Sequence, residues 1–213
     1  MFRVTHCSGR KRFIYPVATL VALMLFASSA GAQFQQQAEG QQMFDFNLHD
    51  NAAEVVLSSP AGEQLDAGGP VTQNFGLFFN SAGDVAASAG LHASGGPTEG
   101  FNPMEVGAGA KLYGVYSEEA DRLVAALAIS GSMVFSITGQ VPQAFIVKGN
   151  VAPNITSFGR ARRLFEGTMR YQLDVTPHSA VYLGYRYLRI QMGSGSSNTT
   201  MDSNIHLGMQ VSF

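Results

Sequence analysis

The chain ends on "SNIHLGMQVSF", and this run constrains the fold more than any other feature. Ile205, Leu207, Met209, Val211 and Phe213 are apolar, while Asn204, His206, Gly208, Gln210 and Ser212 between them are polar or small. A period of two sends the two sets to opposite faces of a β-strand. Chain ends ordinarily fray and carry polar residues, yet this one finishes an unbroken alternation on an aromatic. A barrel that closes on its last strand explains that ending.

Two earlier runs repeat the pattern. In "FEGTMRYQLD", Phe165, Gly167, Met169, Tyr171 and Leu173 oppose Glu166, Thr168, Arg170, Gln172 and Asp174. In "VYLGYRYLR", Val181, Leu183, Tyr185 and Tyr187 oppose Tyr182, Gly184 and Arg186. Runs of this length suit tilted strands that cross a membrane, where ~9–11 residues span the hydrocarbon. "VTQNFGLFFN", "DVAASAGLHA" and "PMEVGAGAKLY" alternate as well. "RLVAALAIS" and "AFIVKGNV" are more uniformly apolar and carry less phase information, and "MFDFNLHD" with "AEVVLS" reads as two short strands or one broken one. Clusters of Gly, Pro, Asn, Asp and Ser separate the runs, as turns require. Counting gives an all-β, antiparallel, up-and-down transmembrane β-barrel of about ten strands, with eight as the alternative.

A soluble β-sandwich also alternates, but its core is packed with large aliphatic side chains. Here the less apolar face carries Gly, Ser, Thr, Asn, Lys, Arg and Glu, which suits a narrow polar lumen. The opposite face is apolar, with aromatics near strand ends, as a lipid-facing band should be. Backbone groups in lipid have no water to bond, so such a sheet must close.

The first segment supports a membrane address. "MFRVTHCSGRKR" is basic, "FIYPVATLVALMLFASSAGA" is apolar, and Ala30-Gly31-Ala32 forms a small-x-small site. These are the parts of a secretory signal peptide, expected over residues 1–32, with residues 33–213 as the barrel domain. The apolar stretch Phe13–Phe26 is shorter than the ~20 residues of a spanning helix. The single cysteine, Cys7, leaves with that segment, which excludes disulfides and thiolate chemistry from the mature chain. The mature chain keeps 9 Lys+Arg against 15 Asp+Glu, a net charge of −6 that argues against a nucleic-acid partner.

"VAPNITSF", "YQLDVTPHSAVYLGYRYLRI" and the aromatic-ended last strand together resemble the YfaZ family of Gram-negative outer-membrane proteins. The likeness is concentrated in the C-terminal third of the chain, with "LGYRYL" its most specific element. It implies an outer-membrane barrel and supplies no catalytic residues. Ile205, Leu207, Met209, Val211 and Phe213 are similar to the C-terminal signal that barrel-assembly machinery reads in such proteins. With Phe213 at the periplasmic rim, "GSGSSNTTMD" and "PNITSFGRARR" become external loops and "TPHS" a short periplasmic turn. Continued toward the N-terminus, this order places the short "NSAGD" outside and the long "SGGPTEGFNP" inside, against the usual rule. Either a strand is miscounted between Ala120 and Asn150 or these loops break the trend.

Glu166, Arg170, Asp174, Arg186, His206 and Gln210 share the inward face of the last three strands. Charges in a narrow lumen are costly unless paired, so Glu166 or Asp174 is expected near Arg170 and Arg186. A side-chain plug of ion pairs is the first reading and a narrow conducting path the second. Arg160, Arg162 and Arg163 form the basic cluster "GRARR", a candidate contact for lipopolysaccharide phosphates. His178 beside Ser179 is the one adjacent His/Ser pair of the mature chain, but neighbours on a strand face apart and cannot act as base and nucleophile. Asp45, His49 and Asp50 are a weak metal pattern, and a polar strand face accounts for them. The expectation is a monomer with no cofactor, no metal and no catalytic residues, in contact with outer-membrane lipids and lipopolysaccharide. Its role is structural or surface-directed, with a passive pore for small solutes and then a lipid-modifying enzyme as alternatives.

Overall fold

The computed structural model describes residues 41–61, 70–95, 104–118, 122–137, 139–159, 161–192 and 199–213; the expected signal peptide and Arg160 lie outside the described residues. The strands are β1 (Met43–His49), β2 (Ala52–Pro60), β3 (Val71–Asn80), β4 (Val85–Gly95), β5 (Met104–Ser117), β6 (Arg122–Ile137), β7 (Gln143–Ala152), β8 (Ser157–Phe158), β9 (Ala161–Thr176), β10 (Ser179–Met192) and β11 (Thr199–Ser212). All pairings are antiparallel, and ten strands close the wall, with β8 a two-residue supplement.

Closure falls where the C-terminal alternation points. β11 pairs with β10 on one side and with β1 on the other, from Met43↔Ser212 to His49↔His206. Gln42 and Phe213 exchange backbone hydrogen bonds of 3.1 and 3.0 Å beyond the last pair. The chain end is thus held on both sides, and β1 and β11 close the sheet that in lipid would otherwise present an open edge there.

Alternation sorts the side chains. On β9, Phe165, Met169, Tyr171 and Val175 are exposed outward while Glu166 is buried inside. From Phe165 to Val175 the strand rises roughly 33 Å, or roughly 25 Å in height after a ~40° tilt, which matches the apolar band of an outer-membrane barrel. Phe135, Phe145 and Tyr171 lie in register across β6, β7 and β9. Phe79 and Tyr116 flank Val85 in a second row across β3 to β5. These exposed rows sit toward opposite ends, as interfacial aromatic girdles do.

Both chain termini of the barrel lie at one end, here the terminal rim; the opposite end is the far rim. β2, β4, β6 and β9 end at the terminal rim, and β1, β3, β5, β7 and β10 end at the far rim. No strand is miscounted between Ala120 and Asn150: β6 and β7 form one hairpin, from Ile129↔Val151 to Ile137↔Gln143.

"PNITSFGRARR" is not a free loop. Pro153 has no N–H to give a ladder, and the chain leaves the sheet there in one 3₁₀ turn, Asn154–Thr156. The Thr156 and Ser157 hydroxyls donate to the Pro153 carbonyl at 3.2 and 3.0 Å. β8 then rejoins β6 at Ala125 and Ala126, and Gly159, at φ 80°, turns the chain into β9. Arg162 and Arg163 are exposed strand residues of β9, which corrects their expected place in a loop.

Candidate functional site

The inward side chains fall into three layers between the rims. Nearest the far rim lies an apolar cluster that includes Phe78, Tyr113, Val115, Leu164, Leu188, Ile190 and Met201. Tyr113 and Ile190 are 1% exposed and Leu188 is 0% exposed. The inward positions of β6 here are Val124, Ala126 and Ala128, all buried. The narrow polar lumen read from the sequence is corrected at this end, where the interior is packed like the core of a soluble domain.

The middle layer is charged. Arg186 on β10 reaches Glu166 on β9 through Nη2 at 2.5 Å and Glu54 on β2 through Nη1 at 3.2 Å. Its guanidinium also lies 4.7 Å from the centre of the Phe78 ring, so the apolar and charged layers touch. Glu166 is the common acceptor: Asn150 donates at 2.8 Å, Lys111 Nζ at 3.3 Å, and the Tyr113 hydroxyl bonds the same oxygen. Ser130 in turn donates to Asn150 at 2.5 Å. A buried carboxylate is tolerated because cations and donors surround it.

A second group sits nearer the terminal rim. Arg170 pairs with Asp45 on β1 at 2.7 Å, donates to Gln210 at 3.0 Å and lies 4.4 Å from the Tyr182 ring centre. The Tyr182 hydroxyl bonds Asp45 and also lies 2.5 Å from Asn47 Oδ1. Tyr182 has this room because position 208, opposite it on β11, is glycine: a Cβ there would overlap the ring. Gly184 makes the same allowance for His206. Toward the far rim from this group, at the end of β1, His49 Nδ1 approaches Asp202 at 2.9 Å with both side chains fully buried, and the His49 and His206 rings lie 4.8 Å apart.

Of the residues expected in the lumen network, Glu166 and Arg186 meet directly. Arg170 meets neither Glu166 nor Asp174; its partner is Asp45. Asp174 stands outside the network, accepting from Gln172 at 3.1 Å near the terminal rim, because its register partner on β10 is Ala180 and not an arginine. His206 is buried inward and forms ring contacts with His49 and Tyr182. Ile205, Leu207, Met209 and Phe213 are exposed on the outer face, and Val211 is half-buried beside them. Asp45 and His49 answer to different partners, Arg170 and Asp202, and Asp50 is exposed in the β1–β2 turn. His178 and Ser179 stand at the β9–β10 turn.

Sequence reasoning missed Asp45, Glu54, Lys111 and Asn150 as network members. Each lies on the inward phase of its strand, between outward residues such as Phe44 and Phe46 or Ala110 and Leu112. Periodicity carried that signal; the register that joins distant strands did not follow from it.

A cavity of about 200 Å³ occupies the terminal half of the lumen, from Met43 and Gln210 inward to Glu166 and Arg186. Its lining includes Asn74, His92, Ser132, Lys148, Thr168 and Arg170.

The model of the family described as "YfaZ precursor" matches residues 14–213. No curated protein matches this chain. Among solved structures, "NanC porin structure in rhombohedral crystal form" is similar at 13% identity and a TM-score of 0.45, covering 81% of this chain and 98% of that one.

Proposed function

The chain belongs to the YfaZ family of outer-membrane β-barrel proteins, and on that premise we propose that it is a non-conducting barrel with a structural or surface-contact role. The observation that carries this reading is the far layer of the lumen. Tyr113, Leu188 and Ile190 are buried there to 1% exposure or less, and Arg186 and Glu166 pair immediately below them. A water path would have to pass interlocked aromatic and aliphatic side chains, then a closed set of ion pairs. Side chains just fill the interior of a barrel of about eight strands, and the large residues of the far layer fill this wider one there. The proposal includes no catalytic role, and His178 with Ser179 at a tight turn supports none.

A planar bilayer holding the refolded chain from residue 33 tests the reading. Silence from verifiably folded protein is the expected outcome, and discrete, reproducible current steps would overturn it. The second reading, a narrow pore, draws on the terminal-side cavity and would then take over, with Arg170 and Arg186 as its filter.

Two further roles belong to the proposal. The exposed row ending in Phe213 supports an assembly signal at a periplasmic terminal rim. Phe213→Asp should lower the folded yield in the outer membrane several-fold, and an unchanged yield would sink that assignment. Arg162 and Arg163, exposed at the far-rim end of β9, suit charge-assisted contact with lipopolysaccharide phosphates. We propose that the protein is a monomer.

A further inference from the structure

Four cations line the terminal-side cavity: Lys111, Lys148, Arg170 and Arg186. Three are matched by the carboxylates of Glu166, Asp45 and Glu54. Lys148 differs, making no hydrogen bond or ion pair with any described residue although its side chain is exposed into the cavity. Glu105, on the inward phase of β5, lies outside the lining. Among the lining residues, the cations therefore outnumber the carboxylates by one.

The neighbours of Lys148 are hydroxyl groups. Ser132 on β6 and Thr168 on β9 are its register partners on either side. His92 Nε2 lies 2.7 Å from Ser132 Oγ; with that nitrogen protonated, the ring donates to Ser132 and leaves the serine O–H free for another acceptor. Arg170 stands one inward position along β9 from Thr168. An ammonium flanked by two hydroxyls, with the Asp45-paired guanidinium beyond them, is a cluster of donors in which Lys148 has no carboxylate of its own. Within low-dielectric walls such a surplus focuses potential and draws an anion, and lysine meets an oxyanion as a point charge. About 200 Å³ is ample for the guest, since one water needs roughly 10–15 Å³.

We propose that the terminal half of the lumen is a binding site for a small oxyanion, a solute bearing a carboxylate or phosphate group. Lys148 supplies the charge and the Ser132 and Thr168 hydroxyls supply orientation. The site does not depend on whether the lumen conducts. It needs an opening at the terminal rim only.

The test is calorimetric titration of the protein, purified from outer membranes in detergent micelles, with inorganic phosphate and separately with acetate. Chloride keeps the ionic strength constant. Saturable one-to-one binding of at least one probe is expected, and which one binds names the group. Lys148→Met, which keeps the length and removes the charge, should weaken binding tenfold or more. Lys148→Arg should hold it within a few-fold, and Val147→Ala, on the outer face of the same strand, should leave it unchanged. Heat-modifiable gel mobility shows that each variant is folded. If Lys148→Met fails to fold, Thr168→Val replaces it, with a several-fold loss expected. No saturable binding of either probe to the unaltered protein overturns the proposal, as does undiminished binding by folded Lys148→Met. Current steps in a bilayer from a protein that still binds would remove the closed-barrel reading and leave this site standing.

Discussion

On the far side of Arg186 the lumen is filled by Tyr113, Leu188 and Ile190; on the terminal side it is lined by Asp45, Arg170, Lys148 and Gln210 around a cavity. The same barrel wall thus encloses two interiors. The first is held by close packing, in which each lost methylene leaves a void. The second is held by paired charges that leave space between them. Packing seals a lumen without regard to polarity, whereas ion pairs fix which strands meet and leave surplus donors for a guest. Arg186 joins the two, with its guanidinium on Phe78 and its hydrogen-bonding nitrogens on Glu54 and Glu166.

The joint is therefore where the largest effect is expected. Arg186→Ala leaves Glu166 and Glu54 buried without their common cation and should cost roughly 3–5 kcal/mol. Urea unfolding of the micelle-bound barrel measures it. Unaltered stability would mean that Arg186 faces water and that the two layers are independent.

Next in size is Leu188→Ala, which empties part of the far layer and should cost roughly 2–5 kcal/mol. Combined with Tyr113→Ala, it also tests which layer seals the barrel. Conductance should appear in the double variant and stay absent in Lys148→Met. Equal silence in both would move the seal to the charged layer.

How well the sequence disclosed each region follows from the same contrast. Alternation is visible only where the inward face differs from the lipid face. On β9 and β11 the inward residues are Glu166, Thr168 and Arg170, and His206 and Gln210, so the strand phase is plain. On β6 the inward residues are Val124, Ala126 and Ala128 against outward Leu123, Leu127 and Ile129. Both faces are apolar there, so "RLVAALAIS" hid its phase, and with it the apolar layer. Strand number and closure were legible because turn residues punctuate the chain and the last strand ends on an aromatic. Ion-pair partners were not. The Asp45–Arg170 pair depends on β1 closing against β11, and Asp174 misses the network because the register sets Ala180 opposite it. Such offsets leave no trace in a period-two pattern.

The smallest effect sharpens the comparison most finely, because it sets two glycines of the wall against each other. Gly208 faces inward, where an added Cβ would overlap the Tyr182 ring. That ring bonds Asp45 and stacks on Arg170, so it cannot retreat without breaking both contacts. Gly208→Ala should cost roughly 1–3 kcal/mol as overpacking. Gly131 faces outward on β6, with nothing within 4 Å of an added Cβ. Gly131→Ala removes only unfolded-chain freedom and should fall between neutral and a gain of about 1 kcal/mol. Paired urea midpoints measure the difference. If both alanines cost the same, the Tyr182–Arg170–Asp45 group is loose, and the terminal half of the lumen is held open by the wall alone. If only Gly208→Ala costs, that half is as tightly specified around its cavity as the far half is without one.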